Sequence, residues 1–145
     1  MSTRSFIGIE DYHNGHITGV YCHFDGDLSG VGRMLYDHYQ DEGKIQELVS
    51  LGGLSVLGPE IGHKVAFDTF YTDGFGGTQC LAYHRDRGEE FVQIDARSFD
   101  HVMEEMKEHW MSYAYVFSEG GWKVAQRYDP RGSSFRSLLE ELTSP

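Results

Sequence analysis

The chain has 145 residues, with 23 acidic against 12 basic side chains and a formal net charge of −11. That length can bury roughly two thirds of its unfolded surface around one core without metal or disulfide staples. The charge argues against an unaided nucleic-acid binder, which needs surplus Lys and Arg to neutralise phosphates, and favours a basic partner, although acidic charge also serves solubility.

Cys22 and Cys80 form no CxxC pair, so neither a zinc ribbon nor a disulfide scaffold is indicated, and reduced thiols are expected. Residues 1–6 lack the apolar run of a secretory signal, and no stretch has the length of a membrane span, so a soluble cytoplasmic protein is expected.

In chain order, residues 5–10 and 17–24 are rich in β-branched and aromatic side chains around a turn at 11–15, the pattern of an opening β-hairpin. Asp25-Gly26-Asp27 ends the second strand. Ser29 then stands where it can cap a helix carrying Val31, Met34, Leu35 and Tyr39 at helical spacing. Asp41 is the expected cap of a second helix whose stripe is Ile45, Leu48 and Val49, ended by Gly52-Gly53. Residues 53–77 hold no sustained period and read as a long excursion with at most a short strand near 65–71, a kind of loop that is often functional.

A strand is expected over 78–84. Ser98 then caps a helix through Phe99, Val102, Met103, Met106 and Trp110, with Glu104, Glu105 and Glu108 facing solvent. Tyr113, Tyr115 and Phe117 alternate before the turn at 118–121, and Trp122 to Ala125 returns, the clearest hairpin in the chain. A short amphipathic helix over about 134–142 closes the sequence as an appended element that docks on its own domain or on a partner. The expected architecture is one α+β domain over 1–145, a mostly antiparallel sheet of five or six strands with three or four helices on one face.

Two polar clusters follow expected strands, at 21–26 and 83–90, where a rigid sheet can aim functional side chains. Neither completes a catalytic motif. His13 and His16 share a hairpin tip without a carboxylate or thiol set at metal spacing, so no metal is assigned. Cys22 has only His23 beside it, and strand neighbours point apart, which argues against a thiol nucleophile. Asp25 and Asp27 lack the glycine and glutamate of a calcium loop, and Gly30-Val31-Gly32-Arg33 lacks both GxGxxG and the Walker lysine. His101 and His109 are expected on opposite flanks of the acidic helix, at the surface.

His84, Arg85 and Arg87, joined by His38 and Arg33, form the candidate anion or nucleotide site, because guanidinium forks match phosphate and carboxylate. The competing reading is a local salt-bridge knot with Asp86, Glu89 and Glu90. No catalytic residue and no cofactor are assigned.

The order of Thr3-Arg4-Ser5-Phe6-Ile7-Gly8-Ile9, Gly19-Val20-Tyr21-Cys22-His23-Phe24-Asp25-Gly26, Val31-Gly32, His38-Tyr39, Leu51-Gly52-Gly53-Leu54, Tyr83-His84-Arg85-Asp86-Arg87-Gly88-Glu89 and Tyr113-Ala114-Tyr115-Val116-Phe117 resembles a family of small bacteriophage and prophage proteins with no assigned activity. The resemblance runs to Trp122, and residues 21–26 with His38-Tyr39 are its most specific part. It implies a phage accessory protein in the host cytoplasm that binds a host factor stoichiometrically, such as an inhibitor of a CRISPR or restriction system. In that reading Glu104, Glu105, Glu108, Glu140 and Glu141 imitate nucleic acid toward a basic defence effector, with aromatic anchors adding affinity. The alternatives are a nucleotide-signal binder or phosphodiesterase using the His84/Arg85/Arg87 cluster, and a homo-oligomeric virion-assembly protein.

Overall fold

Strands β1 (Ser5–Glu10) and β2 (Ile17–Cys22) form the expected antiparallel hairpin, in register from Ser5 opposite Cys22 to Glu10 opposite Ile17. The turn is built by short polar side chains: Asp11 Oδ1 accepts from the His13 amide and Asn14 Oδ1 from the His16 amide, both at 2.9 Å. The computed structural model describes residues 2–144.

Helix α1 (Arg33–His38) is preceded by a π-helical turn at Leu28–Gly32, in which the Gly32 amide reaches back five residues to the Asp27 carbonyl at 3.2 Å. Ser29, expected as the cap, instead donates to Asp27 Oδ2 at 2.7 Å. Helix α2 (Glu42–Val49) starts as expected, with Asp41 Oδ2 accepting from the Lys44 amide at 2.9 Å, and buries Ile45, Leu48 and Val49.

The remaining elements are β3 (Leu54–Val56), β4 (Leu81–Ala82), α3 (Tyr83–Arg87), β5 (Ile94–Ala96), α4 (Phe99–Glu108), β6 (Tyr113–Ser118), β7 (Gly121–Gln126), β8 (Arg136–Ser137) and α5 (Leu138–Thr143). The sheet runs β4-β3-β2-β1-β6-β7-β8, with β5 also paired to β2. Most pairings are antiparallel, while β1–β6 and β2–β3 are parallel. The sheet therefore has eight strands rather than five or six, because β3, β5 and β8, which fall outside the expected strands, are only two or three residues long and too short to show a period of two.

Two further expectations are corrected. Residues 65–71 hold a 3₁₀ turn, Phe67–Thr69, whose neighbour Phe70 is buried with Val65 and Leu81 instead of lying in a strand. The strand expected over 78–84 stops at Ala82 and becomes α3, since the Asp86 carboxylate turns back to accept from the Ala82 amide at 2.8 Å.

Helices also cover both faces of the sheet, not one. Leu35, Ile45, Leu48 and Leu138 pack against Ile7, Tyr115 and Trp122, whereas Val102 and Met106 of α4 pack against Phe6, Ala114 and Val116. The cause is in the central strands: β1 carries Phe6 on one side and Ile7 on the other, and β6 alternates Ala114 and Val116 with Tyr115 and Phe117, so each side exposes apolar surface unless covered. Each of the larger core side chains contributes about 1.5–3 kcal/mol by burial.

Two large polar side chains of the first core are paired, whereas the buried Ser5 Oγ has no hydrogen-bond partner among the described residues. The Tyr39 hydroxyl donates to the Gly58 carbonyl and Trp122 Nε1 to the Tyr39 carbonyl, both at 2.7 Å, tying α1 to the loop and to β7. Ser137 Oγ caps α5, and Leu138 is fully buried directly after β8 joins the sheet edge. No helix among the described residues is long and apolar enough to cross a membrane.

Candidate binding surface

The polar clusters at 21–26 and 83–90 meet at one end of the sheet. Cys22 of β2 pairs with Leu54 of β3, Leu54 pairs with Ala82 of β4, and the Tyr83 amide donates to the Gly53 carbonyl at 3.1 Å. Tyr21 and Tyr83 consequently line one cleft of about 260 Å³, with Gly53, Val92 and Ile94 supplying further lining and Glu89, Glu90 and His109 the polar groups. Burial raises the pKa of both phenols, which remain neutral.

Tyr21 Oη lies 2.7 Å from His23 Nδ1. Desolvation and then the Arg4 charge lower the His23 pKa, so this imidazole is neutral at pH 7. Cys22 points into the first core, where burial pushes its thiol up to about 12, and burial likewise raises Cys80. Neither thiol is poised as a nucleophile.

The α3 cations are engaged internally. Arg85 Nε lies 3.0 Å from Asp86 Oδ1, Nη1 donates to the Ile61 carbonyl and Nη2 to the Cys80 carbonyl, each at 2.9 Å. Its side chain is 16% exposed and that of Asp86 is fully buried. Arg87 pairs with Glu89 and lies over Phe67, its guanidinium carbon 4.3 Å from the ring centroid and 5.3 Å from that of Tyr83. His84 Nδ1 is 2.7 Å from the Glu89 carbonyl. Arg33 and His38 are both on α1, where Arg33 faces Asp37 at 3.6 Å and the His38 carbonyl accepts from Lys44 Nζ at 2.7 Å; among the described residues neither makes a hydrogen bond or ion pair with α3.

The five acids do not share a surface. Glu104, Glu105 and Glu108 are on α4, which covers one face of the sheet, while Glu140 and Glu141 are on α5, which covers the other. Glu141 is further withdrawn: its side chain is 9% exposed and pairs with Arg131, which also grips Asp129. Sequence reasoning missed this Asp129–Arg131–Glu141 knot, whose members are ten or more residues apart at its wider end.

His101 and His109 lie on the same flank of α4, not on opposite flanks. Eight residues at 100° per residue leave them about 80° apart, and both reach Glu105, at 3.4 Å and 3.0 Å. His101 Nδ1 accepts from the Arg97 amide, so its proton sits on Nε2, facing Glu105. The donor atoms of Glu105, Glu108 and His109 lie within 4.8 Å of one another, room for one cation on a largely exposed helix surface.

Past the end of α4, Trp110 is 69% exposed and has φ 57°. A bulky side chain in that region is a backbone outlier. The Arg127 guanidinium carbon stands 5.6 Å from its ring centroid. The cleft lining from Val92 and from Ile94 at the start of β5 also escaped sequence reasoning, although the alternation of Val92 and Ile94 with Gln93 and Asp95 was its signal. No family model, no curated protein and no solved structure matches the chain.

Proposed function

We propose that this protein acts by stoichiometric binding of a basic protein surface, through the carboxylates of α4 and the exposed Trp110 beside them. The observation that carries this reading is the contrast in charge use: Arg85 and Arg87 are consumed by internal partners, whereas Glu104 and Glu108 have no Lys or Arg partner among the described ion pairs. Unpaired rim carboxylates steer a basic partner and set its orientation, and a large exposed aromatic supplies the anchor. The raised thiols of Cys22 and Cys80 and the internal pairing of Arg85 and Arg87 favour binding over catalysis by these four side chains.

In the phage setting that the resemblance implies, the partner is a host defence effector, such as a CRISPR or restriction protein, whose nucleic-acid groove the α4 carboxylates occupy. Glu140 and Glu141 are outside this surface. The test is binding of purified effectors to the wild-type chain and to the Glu104→Gln/Glu105→Gln/Glu108→Gln variant, measured at two salt concentrations. A loss of at least about tenfold in affinity with a shallower salt dependence is expected; unchanged affinity and salt response would overturn the reading.

A further inference from the structure

From the cleft beside α4 we infer a socket for one arginine side chain of the partner, a role that rests on the partner-binding reading above. Three features select a guanidinium. The Tyr21 and Tyr83 rings stand beside Val92 and Ile94, a lining that accepts a planar cation with an apolar stem. Glu90 stands at the cleft and has no cationic partner among the described ion pairs, whereas Glu89 is already offset by Arg87. His109, the C-cap residue directly after α4, also lines the cleft, so the carbonyl end of a ten-residue helix, with its partial negative charge, borders it.

The chain already displays this chemistry once. Arg87 is held against Phe67 and Tyr83 while pairing with Glu89, so next to the cleft, on residues of which Tyr83 and Glu89 also line it, aromatic rings and a carboxylate hold a guanidinium. The cleft of about 260 Å³ offers Tyr21 and Glu90 as a similar set to a guanidinium arriving from outside. Val92, 52% exposed, sits where the aliphatic stem would enter.

The test uses the full chain and two probes, Nα-acetyl-arginine methylamide and its neutral isostere Nα-acetyl-citrulline methylamide, titrated while the NMR signals of Tyr21, Val92, Ile94 and His109 are followed. The arginine probe is expected to shift these signals and to bind at least about tenfold more tightly than the citrulline probe, with the preference falling in high salt. Glu90→Gln should remove most of the preference, and Val92→Lys, which tethers an ammonium at the entrance, should block the probe while the remaining spectrum keeps its native dispersion. Equal affinity for the two probes, shifts confined to residues away from the cleft, or an arginine preference that survives Glu90→Gln would each overturn the socket. The probes need no partner, so loss of the arginine preference with an intact effect of the α4 triple substitution condemns the socket alone. An arginine preference beside an ineffective triple substitution condemns only the α4 reading.

Discussion

Arg85 and Asp86 are consecutive residues of α3, yet Arg85 Nε and Asp86 Oδ1 lie 3.0 Å apart, and Asp86 is the more buried of the two. Neighbours on a helix do not normally face each other. They meet here because both are drawn under the 61–65 loop, where Asp86 also accepts from the amides of Val65 at 3.1 Å and Ala82 at 2.8 Å. Removing one member of a buried pair leaves the other uncompensated. Asp86→Ala should therefore lower urea stability by about 3 kcal/mol, and Arg85→Ala, at the partly exposed end, by about 2 kcal/mol. An effect of Asp86→Ala within the roughly 0.5 kcal/mol of an ordinary surface change would contradict this account.

The thiols give a second prediction. With the Cys22 pKa moved from 9.0 to about 12 by burial, its thiolate fraction at pH 8 is about a thousandfold smaller than in the unfolded chain. Cys80 is raised by the same cause. A thiol-reactive disulfide reagent at pH 8 should leave both cysteines unlabelled in the native protein and label two per chain in urea. Stoichiometric labelling of either within minutes under native conditions would show that the core opens there.

These two cases mark what the sequence could and could not reveal. Asp41 and Ser98 were readable as caps, and the 118–121 turn as a hairpin, because each depends only on groups within three or four residues: Ser98 Oγ accepts from the His101 amide at 3.1 Å, and Glu119 and Gly120 take the positive φ values that a tight hairpin needs. The inward turn of Asp86 depends on Val65, twenty-one residues earlier, and no local pattern announces it. The same limit hid the second helical face. Val102 and Met106 showed that α4 has an apolar stripe, but only the pairing of β1 with β6, more than a hundred residues apart, puts Phe6, Ala114 and Val116 together beneath it. The clusters at 21–26 and 83–90 were recognisable singly. Their meeting at the cleft rests on β3, a strand of three residues.

At acid pH the Asp129–Arg131 contact should control part of the stability. Hydrogen bonds from Arg131 hold the Asp129 carboxyl at about 2, below its ordinary 3.8, and also lower Glu141. A carboxyl with a depressed folded pKa contributes stability that is present above the unfolded value and is lost as pH falls through the folded one. The loss attributable to Asp129 thus falls between about pH 4 and pH 2. Asp129→Asn should flatten the drop in urea midpoint across that window and leave the profile above pH 5 parallel to wild type; an unchanged slope below pH 4 would count against the knot.

In the second core Phe6 lies across the cross-strand pair Gly8 and Gly19. A Cβ on Gly19 would run into the Phe6 ring and come 2.7 Å from the Ile7 carbonyl, and Phe6 is fully buried, so the ring has little room to withdraw. Gly19→Ala should cost about 1–3 kcal/mol through overpacking. Adding Phe6→Leu should make the double variant less destabilised than the sum of the two single changes, a coupling that a urea-denaturation cycle measures directly. Strict additivity would mean that the ring and the glycine do not share the space.

Trp110 offers a separation of stability from binding. Its φ of 57° costs about 1–3 kcal/mol for a side chain of this bulk, and at 69% exposure it recovers little by burial; its stacking with Arg127 offsets at most about 1 kcal/mol. Asparagine tolerates the left-handed region, so Trp110→Asn should raise stability by about 1 kcal/mol, whereas Trp110→Ala, which keeps the strain, should not. If Trp110 is the anchor beside the α4 carboxylates, the same Trp110→Asn chain should bind its partner with about 2 kcal/mol less free energy, as loss of an interfacial tryptophan typically costs. A stabilised variant that keeps full affinity would remove Trp110 from the binding surface. A destabilised one would mean that the ring contributes more to the fold than its exposure indicates.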